Sequence, residues 1–189
     1  MELIPSEIEK LVVRSQRGSE ADFSTIFDHF YPKISRYISF RVNNEDAEDL
    51  TAEVFLRVVD KFKKYKKTPK GNFSAWIFRV AHNLVIDFYR KKKDLLQLTD
   101  PETGEVKFDI PDSALNPHDS VVQHEEHRKI REIMKNLSDS HQEVLQLKFL
   151  EGFTNPEIAE IIGKSEGNVR VIQLRALREL RKYFSEGEL

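Results

Sequence analysis

Between Thr154 and Arg170 the chain writes two short helices with their punctuation in place, and no other stretch restricts its fold so much. The run is Thr154-Asn155-Pro156-Glu157-Ile158-Ala159-Glu160-Ile161-Ile162-Gly163-Lys164-Ser165-Glu166-Gly167-Asn168-Val169-Arg170. Thr154 is an N-cap, and Glu157 stands three residues on, where a capping-box partner belongs. Pro156 is tolerated because the first turn's N–H groups have no helical partner anyway. Ile158, Ala159, Ile161 and Ile162 form an apolar stripe. Gly163 supplies the left-handed residue that ends the first helix, and Ser165 caps the second. So tight a turn between two apolar-faced helices predicts a helix-turn-helix, whose second helix enters a DNA major groove.

The composition of that second helix agrees. Val169, Ile172, Ala176, Leu177 and Leu180 recur at helical spacing and are expected to face the core. Arg170, Gln173, Arg175, Arg178, Arg181 and Lys182 lie mostly off that stripe. Residues 164–182 carry six Lys/Arg against two Glu, and such a cationic face displaces condensed counterions from DNA. Gln, Asn or Arg near the helix start can reach base edges. A basic face alone is more often a solvated one; face, turn and caps together favour DNA.

The other classes narrow quickly. The chain of 189 residues has room for one domain or two small ones. It has no cysteine, which removes disulfides, Cys-type zinc sites and thiol chemistry, and makes cytoplasmic residence the expectation. No apolar run is long enough to insert into a membrane, and Met1-Glu2-Leu3-Ile4-Pro5 shows no secretory signal. The net charge of −2 hides blocks. Residues 61–70 hold six Lys and no acid, residues 45–53 five acids and no base, and residues 99–126 eight acids and one Lys. Basic patches facing DNA and acidic ones facing something else fit that distribution.

The predicted fold class is all-α, with two small helical domains joined by an acidic flexible linker. Residues 1–20 read as an N-terminal helix or extension. Residues 21–93 read as helices, with Phe23, Ile26, Phe27, Phe30, Tyr31, Ile34, Tyr37 and Ile38 on one face and Leu50, Val54, Phe55, Val58 and Val59 on the next. A loop over residues 63–72 follows, with Pro69 and Gly71. Ile77, Val80, Ala81, Leu84 and Phe88 then point inward from a further helix. Residues 94–120, broken by Pro101, Gly104, Pro111 and Pro117, read as a linker. Residues 121–189 are helical again and contain the helix-turn-helix.

Two polar constellations stand out in the first domain. Arg79, Asn83, Asp87 and Arg90 form one stripe on a helix, flanked by the Lys-rich loop with Lys66, Lys67, Phe62, Tyr65 and Phe73. Aromatics interleaved with Lys suit single-stranded DNA, where cations track the backbone and rings stack on bases. Trp76 and Phe88 read better as core. Asn83 and Asp87 could meet an extruded base edge or form a wet surface. Asp46-Ala47-Glu48-Asp49-Leu50-Thr51-Ala52-Glu53-Val54-Phe55 is an amphipathic helix with a dense acidic start. It is either solvated, its acids favoured by the helix N-terminus, or docked on a basic protein surface.

Together these motifs resemble the extracytoplasmic-function branch of bacterial sigma factors, over residues 22–184 apart from the linker. The resemblance implies an alternative sigma factor, not an enzyme, without metal or cofactor and a monomer when free. Asp46, Glu48, Asp49, Leu50, Glu53 and Phe55 match its surface for the clamp coiled coil of core RNA polymerase. Lys66, Lys67, Phe73, Arg79, Asn83, Asp87 and Arg90 match its minus-ten segment, which binds melted single strand. Ser165, Glu166, Asn168, Arg170, Val171, Gln173, Leu174, Arg175 and Arg178 match its recognition helix for duplex minus-thirty-five DNA. The implied partners are core RNA polymerase through clamp and flap, promoter DNA, and an anti-sigma factor.

The chain departs from the commonest family pattern at Ala52, where Gln is usual, and at Ile172-Gln173, where Arg-Leu is usual. The base-reading code therefore does not carry over. Two other readings compete. A plain helix-turn-helix regulator would need a dimer and leaves the first domain unexplained. A metal enzyme built on His118, His124 and His127 with Glu125 or Glu126 lacks the His-Glu-x-x-His spacing.

Overall fold

The computed structural model describes residues 3–68, 71–99 and 136–186. Among them are seven α-helices, one π-helical turn and no strand. The chain divides into two compact units, Met1–Asp112 and Ser113–Leu189.

The first unit packs α1 (Pro5–Gln16), α2 (Glu20–Ser39), α3 (Asn44–Phe62) and α4 (Phe73–Thr99). Each of the last three begins on a side-chain cap that satisfies an orphan amide. Ser19 Oγ accepts from the Asp22 N–H at 3.3 Å, Asn43 Oδ1 from Asp46 at 2.9 Å, and Asn72 Oδ1 from Ala75 at 2.9 Å. The core is aromatic at its centre. Phe30 and Tyr37 of α2 meet Phe73 and Phe78 of α4 edge-on, with centroids 5.6 and 5.2 Å apart, a favoured quadrupole arrangement. Val54, Phe55 and Val58 close it from α3, and Ile8, Leu11 and Val12 from α1.

Helix α1 is therefore an integral part of this unit rather than an extension preceding residue 21. Its Arg14 makes a bidentate pair with Asp22 of α2, at 2.8 and 2.7 Å. The Arg14 hydrogen bonds, helped by Ser19, pull the Asp22 carboxyl down from its ordinary 3.8 to about 2. At the other end, α4 runs to Thr99 and past the expected stop at residue 93. No Pro or Gly intervenes between Gly71 and Pro101, so nothing local ends the helix there. Tyr31, Val59 and Leu177, expected inward, are largely exposed. Tyr31 and Val59 each follow a buried residue, about 100° further round the helix.

The second unit contains α5 (Asp139–Leu145), which passes into a π turn (Gln146–Leu150), then α6 (Asn155–Ile162) and α7 (Glu166–Glu186). Val144, Leu147, Ile158, Ile161, Val169 and Ala176 form its core. His141 Nδ1 of α5 lies 2.7 Å from Glu179 Oε2 of α7. Residues 121–135 of the second expected helical domain, the linker beyond Thr99, and the histidines His118, His124 and His127 fall outside the described residues. Among the described residues no group of three His, Cys, Asp or Glu could hold a metal, and no helix is long and apolar enough to cross a membrane.

Candidate nucleic-acid and partner surfaces

The helix-turn-helix is assembled by local chemistry. Glu157 Oε2 accepts from both the Thr154 N–H at 2.8 Å and the Thr154 hydroxyl at 2.6 Å, fixing the start of α6. Gly163 ends it at φ 65°, and the Ser165 hydroxyl caps α7 by accepting from Asn168 N–H at 3.2 Å. With Val169 and Ala176 buried, α7 turns Asn168, Arg170, Val171, Leu174, Arg175 and Arg178 outward. Glu166 and Gln173 stand at its half-buried edge, and Glu166 pairs with Arg170. Ser165 has a cap to maintain whatever else it touches.

On α4 the expected stripe exists. Arg79, Asn83 and Arg90 are exposed and Asp87 half-buried. Asp87 is not idle: Arg90 lies 3.0 Å from one carboxylate oxygen and Arg57 of α3 lies 3.8 Å from the other. Arg57 Nε also donates to Glu53 at 3.0 Å. A four-residue ionic chain thus runs from the α3 acids to the α4 stripe. Lys66 and Lys67 are exposed beside it in sequence.

The aromatic part of the expectation fails. Phe73, expected to meet DNA, is fully buried at 0%, and Phe62 and Tyr65 are also buried. Their rings pack on one another: Tyr65–Phe73 centroids are 5.1 Å apart, Phe62–Phe73 5.7 Å and Phe73–Trp76 5.3 Å. Phe73 is the first residue of α4, and the turn that starts the helix aims its ring into the core. The loop exposes Lys66 and Lys67, not these rings.

The α3 surface needs a similar correction. Glu48 and Asp49 are exposed, and Asp46 and Glu53 half-buried. Leu50 and Phe55, expected to contact a partner, are 7% and 6% exposed. The Phe55 ring packs at a tilt 4.6 Å from that of Phe27 and 5.6 Å from that of Tyr31, so its role is in the core. The apolar residues that do face out are Leu56 at 71% and Val59 at 55%, which the sequence reading missed or placed inward. The missed signal was angular: Leu56 stands about 200° round the helix from buried Val54. Asp49, Ala52, Leu56 and Val59 follow one outward line, acidic at its start and apolar at its end.

These two units match two known families in order. Residues 26–94 match the family Sigma-70 region 2, and residues 133–182 match Sigma-70, region 4. The chain is 30% identical to the ECF RNA polymerase sigma factor SigW of Bacillus subtilis (strain 168), over 93% of this chain and 95% of SigW. The chain belongs to the ECF sigma factors.

As an ECF sigma factor it is an alternative sigma factor that directs RNA polymerase to promoters. It is 34% identical to BldN of Streptomyces coelicolor, over 92% of this chain but only 64% of BldN's length. The fold is also that of the sigma factor RpoE from Bartonella quintana, solved in complex with the anti-sigma factor NepR. The TM-score there is 0.69 at 21% identity, covering 88% of this chain and 99% of RpoE.

Proposed function

We propose that this sigma factor divides its task among three surfaces. The outward line of α3, with Asp46, Glu48, Asp49 and Glu53 at its acidic end and Leu56 and Val59 at its apolar end, docks on the clamp coiled coil of core RNA polymerase. Leu50 and Phe55 support that line from beneath. Specific protein interfaces join exposed apolar side chains to charged ones, as this line does. An anti-sigma factor acting on this chain would cover the same patch.

The α4 stripe takes the melted minus-ten strand. Arg79, Arg90, Lys66 and Lys67 track phosphates, and Asn83 and Asp87 hydrogen-bond an extruded base. Extrusion costs a few kcal/mol of stacking, which these contacts offset. Asp87 must exchange Arg57 and Arg90 for the base. The recognition helix α7 reads duplex minus-thirty-five DNA, with Ser165, Glu166, Asn168, Arg170, Gln173, Arg175 and Arg178 as polar contacts. Val171 and Leu174 are placed for apolar contact with thymine methyls. The second unit also engages the polymerase flap, residues 94–120 tether the units, and the free protein is a cytoplasmic monomer.

The single observation that supports this best is the stripe of exposed Arg79, Asn83 and Arg90 with half-buried Asp87, on the helix that follows exposed Lys66 and Lys67. The test is multi-round transcription by purified core polymerase on fragmented genomic DNA, with and without this protein. New starts that share two spaced upstream elements are the expected result. Core binding without new starts, or no core binding, would overturn it.

A further inference from the structure

Helix α1 has a polar edge that the three surfaces above do not use. Glu9 and Gln16 are seven residues apart, two turns of helix, and so share a face about 10 Å long. Both reach far along the chain. The Gln16 carboxamide donates to Phe62 O at 2.9 Å and to Tyr65 O at 2.9 Å, so both of its N–H groups are engaged. Phe62 is the last residue of α3, where carbonyls lack helical partners. Glu9 Oε1 accepts from the Phe73 N–H at 2.7 Å and from the Tyr65 hydroxyl at 3.1 Å. Phe73 opens α4, so its N–H is likewise an orphan.

One helix therefore holds both ends of the α3–α4 connection, with Lys66 and Lys67 springing directly from the held Tyr65. Packing alone does not require this. The rings of Phe62, Tyr65 and Phe73 already bury themselves without it. What the four bonds add is a fixed spacing between the two feet of the connection, and a fixed heading for the lysines relative to the α4 stripe.

We infer that Glu9 and Gln16 are positioning residues for minus-ten recognition: α1 presets the α3–α4 connection so that Lys66 and Lys67 address the strand whose base Asn83 and Asp87 receive. This rests on the base-capture role proposed above. Preorganised contacts of this kind act by removing ordering cost at the moment of binding, so loosening the feet blurs the choice of base as well as slowing the reaction.

The test uses holoenzyme formed from core polymerase and the full chain, with transcription starts mapped on fragmented genomic DNA. Glu9→Ala is expected to lower output about tenfold and to relax base preference within the minus-ten element, leaving the minus-thirty-five preference unchanged. Glu9→Gln, whose carboxamide oxygen still accepts from Phe73 and Tyr65, should restore the preference. A merely structural α1 would lower output at all promoters with the minus-ten preference intact, and that result would overturn the inference. If Glu9→Ala fails to fold, Tyr65→Phe carries the test, since it keeps the ring and removes one donor to Glu9. Asn83→Ala separates the two readings. Relaxed preference with Asn83→Ala but not with the Glu9 and Tyr65 variants rejects positioning by α1 alone. Unchanged preference with Asn83→Ala rejects base capture and the positioning role with it.

Discussion

The two units spend their apolar residues in opposite ways. In the first, Phe62, Tyr65 and Phe73 sit beside a lysine-rich connection, yet all three turn inward. On the outside are Lys66, Lys67, the polar α4 stripe and, on the same helical line as Asn83 and Arg90, Ile86 at 54% exposed. In the second, Val171, Leu174 and Leu177 stay exposed on α7 among arginines. A melted strand presents base faces as well as base edges and phosphates, and the burial of Phe62, Tyr65 and Phe73 leaves mainly edges and phosphates to be read. A duplex groove presents thymine methyls as well, and apolar side chains can read those. On the roles proposed above, the unit assigned to open DNA hides its rings and the unit assigned to closed DNA shows aliphatic groups.

The comparison can be broken most forcefully in the core. Phe73→Ala should cost about 3–5 kcal/mol of the first unit's stability, read by thermal melting. Leu174→Ala should move melting by no more than about 0.5 kcal/mol while weakening minus-thirty-five binding in a gel-shift titration. A large DNA defect from Phe73 variants that still fold would return that ring to the DNA surface.

A second test contrasts buried and exposed apolar positions on one helix. Leu56→Asp is expected to reduce core-polymerase association by about thirtyfold to a thousandfold, on the scale of a truncated interface anchor at roughly 2–4 kcal/mol, with circular dichroism unchanged. Leu50→Asp should lose the helical signal itself. Full association by Leu56→Asp would move the docking surface off α3.

Smaller effects sharpen the DNA side. Arg178→Ala should weaken minus-thirty-five binding alike across sequences and lower the salt slope by about one ion. An unchanged slope means that Arg178 touches no phosphate. The smallest effect concerns acid stability. Asp22 has a depressed folded-state pKa, so the Arg14–Asp22 pair contributes above 3.8 and its contribution is lost as pH falls toward about 2. Asp22→Asn should flatten that part of the acid unfolding curve, and an identical curve would show that the pair does nothing for stability.

The helix-turn-helix was the most legible part of this chain because everything that builds it is local. Thr154 finds Glu157 three residues away, Gly163 needs only its own backbone, and Ser165 finds Asn168. The polar stripe of α4 was legible for the same reason, being a matter of helical period. What escaped the sequence acts across distance. Glu9 meets Phe73 across 64 residues and Gln16 meets Phe62 across 46, and no spacing rule couples them. Phe73 was misplaced because its neighbours are lysines while its own ring follows the turn of α4. Leu56 was missed because an apolar residue off the core stripe looks like ordinary surface, and Val59 was placed inward although it stands about 100° round the helix from buried Val58. The π turn at Gln146–Leu150 had no local marker either.

The α4 stripe also sets a limit on information. From Arg79 to Arg90 is eleven residues of helix, a rise of roughly 16 Å. Stacked nucleotides advance about 3.4 Å each along a strand, so the stripe can lie against some five of them, and fewer once one is pulled from the stack. A message that short recurs by chance many times in any genome. On the roles proposed above, the α4 stripe does not choose a promoter alone, and the recognition helix must supply the rest of the message.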